Sequence, residues 1–359
     1  MQHHHRQPKN HSAPAAPSKP AQAHRPPAAG GVFYRLTGKL LLSLLLAAGG
    51  GLFVYYTGAR LMRSFEPQPE PKKVVEVPLK DAEWQSMVEG LDKLSRSYRG
   101  RVGIYIKDLE SGKTWDYNAD RLFPSASLVK VPIMAAVFEK IKLGDLTLDT
   151  QIKLTRRERV GGSGSLKWVR EGTSLSVMEI IYKMITESDN TATKMLIDYV
   201  SMPYLDGAFK DFGLVHTNIT PEGMSLSSGR VKRDNFTTAR EMASLMERIY
   251  AGQLVSKESS EFMLDVLKHN KSRSRLRKGL PLGWEIGHKT GLLRKNCHDV
   301  GIVFSPRGDY VIAVLTGEAP NYTEAKNFIS RVAKLTYKYY KIDADFAALS
   351  GVQGAARGS

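Results

Sequence analysis

Three short clusters in this chain hold residue types that can act on an acyl group: Ser127-Leu128-Val129-Lys130, Ser188-Asp189-Asn190 and Lys289-Thr290-Gly291. A serine hydroxyl is a weak nucleophile at neutral pH and needs a base. A lysine desolvated near a second cation can lose its proton and become that base. Ser127 and Lys130 are three residues apart, so on a helix they share a face and the amine stands beside the hydroxyl. N–H groups at a helix start also favour negative charge developing nearby. Each cluster alone has an ordinary explanation: Ser127 as a helix N-cap, Ser188 or Asp189 as the cap of a following helix, and the third tripeptide as plain strand.

The elements around the clusters fit the chemical reading. Phe123-Pro124-Ser125-Ala126 leads into an apolar run through Phe138, which predicts a helix starting at the serine, its first turn distorted by Pro132. Ser188-Asp189-Asn190 interrupts two apolar periodic stretches, Leu175 to Ile185 and Ala192 to Val200, and reads as a tight loop between helices. Lys289-Thr290-Gly291 follows Trp284 to His288 and belongs on an edge strand, where Gly291 lets a ligand approach the backbone. Upstream, Trp84 to Tyr98 has helical spacing, and Arg101 to Asp108, a Glu110-Ser111-Gly112 turn and Thr114 to Tyr117 read as a hairpin. Downstream, Val300 to Phe304, a Pro306-Arg307-Gly308 turn and Tyr310 to Thr316 read as a second hairpin, followed by a helix from Thr323 to about Tyr339. The expected fold is α/β: an antiparallel sheet drawn from both ends of the domain, flanked by helices, with an all-helical middle.

In this order and spacing the three clusters resemble the motif set of class A β-lactamases and penicillin-binding proteins, over about Trp84 to Tyr339. The resemblance implies a β-lactamase/transpeptidase-like fold with an all-helical lobe on a mixed lobe, and a serine acyl-enzyme mechanism that needs neither metal nor cofactor. Ser127 would attack the carbonyl with Lys130 as base, and the backbone N–H groups of Ser127 and Leu292 would form the oxyanion hole. Ser188 would pass a proton to the leaving nitrogen, Asn190 would orient the substrate amide, and Lys289 with Thr290, beside Gly291, would hold the substrate carboxylate. Gly161-Gly162-Ser163-Gly164-Ser165-Leu166 resembles a loop bordering the cleft. Two departures stand out. The Glu-x-x-Leu-Asn string that supplies a deacylating glutamate is missing, and Glu222, ahead of Asp234-Asn235-Phe236-Thr237-Thr238, is the carboxylate near its expected place. An arginine often found after the third motif has no clear counterpart; Asp299 falls near there, with Arg294 or Lys295 as candidate substitutes. The substrate is thus expected to be a β-lactam, with a D-Ala-D-Ala peptidase or a β-lactam receptor that stays acylated as alternatives.

The charge of the chain points away from nucleic acid. Of a formal net charge of +16, eight come from a leader that has no Asp or Glu before Glu66. Residues 1–39 read as a disordered, basic cytoplasmic tail whose first 31 residues are rich in Pro, Ala, Gln and His. Its histidines, His3, His4, His5, His11 and His24, lack the thiols or carboxylates of a metal site. No side chain from Leu40 to Ala59 is charged, and twenty helical residues at about 1.5 Å each span a hydrocarbon layer, so residues 40–59 are expected to be a transmembrane helix. The positive-inside bias then places a single-pass anchor in the inner (cytoplasmic) membrane, N-terminus inside and catalytic domain outside. Residues 60–79 form a Pro-rich linker, 80–342 the hydrolase domain and 343–359 a flexible tail. Cys297, the only cysteine, is expected to be a small buried residue.

Overall fold

Apolar side chains on both faces of the C-terminal strands dictate a sheet covered on both sides. In the computed structural model, which describes residues 81–221, 223 and 234–341, that sheet is present. β1 (Arg101–Asp108) and β2 (Thr114–Tyr117) come from the N-terminal side, and β7 (Glu285–Leu293), β8 (Asn296–Phe304) and β9 (Tyr310–Gly317) from the C-terminal side. The order is β2-β1-β9-β8-β7 with antiparallel pairing throughout, so β1 joins β9 directly, Ile104 opposite Val314. The expected sheet built from both ends is found. β8 begins at Asn296 rather than Val300, because Cys297 and His298 are buried strand residues that a hydropathy pattern underrates.

Alternation along the strands feeds two cores. Val311, Ala313 and Leu315 face the helical middle, while Tyr310, Ile312 and Val314 face α1 (Asp81–Arg96) and the C-terminal helix α9 (Tyr322–Tyr340). The helical middle is centred on α2 (Lys130–Lys142), buried at every position from Lys130 to Phe138. Around it pack α3 (Val177–Thr186), α4 (Asn190–Val200), α5 (Met202–Asp211), α6 (Ala239–Tyr250) and α7 (Lys257–Lys268). Side-chain caps define the starts of these helices: Ser176 accepts from Glu179 N, Asp189 from Ala192 N and Thr238 from Glu241 N, each worth about 1 kcal/mol. Short pairings complete the frame: β3 (Phe123–Pro124) with β6 (Phe236–Thr237), and β4 (Gln151–Lys153) with β5 (Ser174–Ser176).

The tail, the Leu40–Ala59 span, the Pro-rich linker and residues 343–359 lie outside the described residues. Among the described residues no helix is long and apolar enough to cross a membrane.

Candidate active site

Ser127 is delivered by a pinned segment. His298 Nε2 donates to Pro124 O at 2.8 Å, and the Thr316 N–H donates to His298 Nδ1 at 3.2 Å, which fixes a neutral imidazole with its proton on Nε2. Burial pushes that imidazole down to about 4, so it stays neutral. Ala126 then turns through φ 50°, a left-handed conformation that costs a non-glycine residue roughly 1–3 kcal/mol and that packing must hold. Ser127 follows in a 3-10 turn, Ala126–Val129, and the α-helix begins only at Lys130. The expectation of a helix starting at the serine is corrected in this detail, and Pro132 supplies the reason. A proline lacks the N–H that the helix interior requires, and with the helix starting at Lys130 it falls at the third position, where no such bond is needed. In a 3-10 turn residues i and i+3 eclipse, so Lys130 follows on the same side of the chain as Ser127, while its Nζ makes its hydrogen bonds to Ser188 and Asn190.

Lys130 is 2% exposed. Its Nζ donates to Ser188 O at 2.6 Å and Asn190 Oδ1 at 2.8 Å, and lies 3.3 Å from Ser188 Oγ. Burial pulls this amine down to about 7, partly opposed by the Asp189 carboxylate. Lys289, fully buried on edge strand β7, reaches Ser188 Oγ at 3.0 Å and Thr290 O at 2.9 Å. Burial first, then the neighbouring Lys130 and Arg275 charges, push its pKa well below the usual lysine range. Ser188 therefore sits between two amines, itself held at φ 55°. Asn190 uses its two ends separately, Oδ1 on Lys130 and Nδ2 on Gly161 O at 2.9 Å.

The glycine-rich loop is tied to the same point. Asp189, fully buried, caps α4 with Oδ1 on Ala192 N (2.9 Å) and receives the Leu166 N–H on Oδ2 (2.7 Å). A side chain at Gly164, where φ is +100°, would collide with the Asp189 carboxyl group. At Gly291 a Cβ would come within 3.1 Å of Ala126 Cβ and 3.2 Å of the His298 ring, so glycine lets β7 close on the serine turn.

Ser127, Lys130, Ser188, Asn190 and Thr290 line two hollows that meet at Ser127, Ser163 and Leu292, with Lys289 buried behind them. A cavity of about 330 Å³ is lined by Ser127, Lys130, Gly161, Asn190, Asp234 and Leu292, among others. A second hollow of about 280 Å³, also reaching Ser127 and Leu292, is lined by Ser188, Thr290 and Arg275. Sequence reasoning missed Arg275. It is 5% exposed, precedes the short helix α8 (Leu276–Gly279), and adopts φ 59°. Arg294 and Lys295, the expected substitutes, occupy the turn between β7 and β8 and line neither hollow. Arg275, from the segment before β7, shares the smaller hollow with Thr290. Glu222 lies outside the described residues. Among the described residues lining the larger cavity the one carboxylate is Asp234, whose pKa burial raises. No group of His, Cys, Asp and Glu among the described residues is arranged to hold a metal.

Residues 86–340 match the family described as the Beta-lactamase enzyme family. β-Lactamase VEB-1 of Pseudomonas aeruginosa is 26% identical over 279 residues, covering 72% of this chain and 92% of its own. The solved structure of PBP-A superposes with a TM-score of 0.65 at 29% identity, covering 70% of this chain and 95% of its own. An acyl-enzyme complex of a PBP-A mutant with penicillin G superposes with a TM-score of 0.64, at 29% identity over 72% of this chain and 95% of its own.

Proposed function

The chain belongs to the beta-lactamase enzyme family and is a serine hydrolase acting through an acyl-enzyme, and from this we propose that it hydrolyses β-lactams as a class A-like enzyme held at the membrane by residues 40–59. The observation that carries the catalytic part is Lys130: a buried amine near neutrality, facing the cleft that holds Ser127. In the proposed cycle the Ser127 proton passes to Lys130 as Oγ bonds the lactam carbonyl carbon. The oxyanion is met by the Ser127 and Leu292 backbone N–H groups. The C–N bond breaks as Ser188, between Lys130 and Lys289, gives its proton to the leaving nitrogen and regains one from the amines. Asn190 orients the substrate amide, and Thr290 with Lys289 and Arg275 takes the substrate carboxylate.

Water must then cleave the ester. Glu222 and Asp234 are the carboxylates proposed for that step, and general-base help of this kind is worth about 10² to 10⁴ in rate. The missing Glu-x-x-Leu-Asn string and the likeness to PBP-A favour a second reading, a D-Ala-D-Ala peptidase with the same acylation chemistry. The test is to mix the full chain with a chromogenic cephalosporin and follow acyl-enzyme mass and product together. The proposal expects a transient adduct with repeated turnover, with Glu222→Gln or Asp234→Asn accumulating the adduct. An adduct without turnover, joined by release of D-Ala from a D-Ala-D-Ala peptide, contradicts the lactamase reading and supports the peptidase.

A further inference from the structure

Asp299 lies downstream of Lys289-Thr290-Gly291, near the place where relatives often carry an arginine. It is fully buried on β8, directly opposite Thr290 of β7. A buried carboxylate is costly unless its oxygens are hydrogen-bonded, and here both are. Oδ1 accepts from His288 Nδ1 at 2.8 Å, and Oδ2 accepts from the Leu276 backbone N–H at 3.1 Å. Leu276 immediately follows Arg275, whose φ of 59° and ψ of −124° are unfavourable for a side-chain-bearing residue. Such a conformation persists only where its surroundings fix it. Asp299 fixes the backbone on one side of Arg275. Cys297, two residues before Asp299 and therefore on the same face of the sheet, fixes the side chain by accepting from Arg275 Nε at 3.1 Å. Both Nη groups keep no hydrogen-bond partner among the described residues, on an arginine that lines the hollow with Ser127 and Thr290.

We propose that Asp299 is a positioning residue for the carboxylate pocket: by holding the Leu276 N–H it seats Arg275 in the cleft and so sets the preference for substrates with a free carboxylate. The inference rests on the acyl-enzyme reading above. Asp299 lines neither hollow of the cleft, and its carboxylate partly counters the burial and neighbouring cations that push the Lys289 amine down. Asparagine at this position keeps one full acceptor where two donors converge, so the seat loosens without an empty space being made.

The experiment measures second-order acylation rates of the full chain with a penicillin and with its methyl ester, and takes the acid-to-ester ratio. Asp299→Asn is expected to lower that ratio about threefold to tenfold in the parent protein and to leave it unchanged in the Arg275→Ala background. Asp299→Ala, where it folds, is expected to lower it further. An equal fall in both backgrounds, or no fall in either, overturns the proposal. So does a fall in both rates that leaves their ratio intact, the mark of a merely structural role. A parent protein that forms no adduct with acid or ester contradicts the functional reading and takes this inference with it, whereas an adduct whose ratio ignores Asp299→Asn removes the inference alone.

Discussion

A primary amine brought to about 7 by burial, in hydrogen-bond contact with Ser188 and Asn190, is the chemical centre of the proposed mechanism. Its sign is clear: a base must be unprotonated, so acylation rises with pH through about 7 and levels above it. Below that point the rate is expected to fall about tenfold per pH unit. Stopped-flow acylation between pH 5 and 9 checks this, and a flat profile would remove Lys130 from the role of base. Ser127, Lys130, Ser188, Asn190 and Lys289 could be proposed from the sequence because residue type at fixed spacing singles them out, and the structure brings Lys130, Ser188, Asn190 and Lys289 into hydrogen-bond contact. Arg275 could not be, because it belongs to no spaced motif and its place depends on a left-handed backbone and a contact with Cys297 twenty-two residues away.

Elements were legible where local pattern and tertiary context agree. Both hairpins and the edge position of Lys289-Thr290-Gly291 are present, since alternation and turn residues specify them locally. The start of the serine helix was read three residues early, because a 3-10 turn and the first turn of an α-helix have the same composition. The glycine-rich loop carried little signal in sequence, yet Gly164 meets the residue that also caps α4. Gly164→Ala is therefore expected to cost at least roughly 1–3 kcal/mol in denaturant unfolding, through its positive φ and the displaced Asp189. It should also slow acylation, since Ser188 and Asn190 flank Asp189. An unfolding midpoint unchanged from the parent would show that the loop is free to move away.

At the scale of the molecule, the two ends of the hydrolase region meet as neighbouring strands, and the cleft lies where the serine turn and the loop before α4 face the edge strand. The meeting of the ends was legible because unpaired hairpins at both ends need a partner. The composition of the leader carries a separate prediction. With a basic segment before an uncharged run of twenty residues, protease added to intact cells should cut beyond Glu66 and spare the segment before Lys39. Cleavage confined to that segment would reverse the orientation. The proposed chemistry begins with one covalent bond, and intact-protein mass spectrometry with peptide mapping after exposure to penicillin G reads it directly. The predicted result is a single adduct of the mass of the drug on the peptide holding Ser127, lost in Ser127→Ala; an adduct that survives Ser127→Ala, or none in the parent protein, would contradict it.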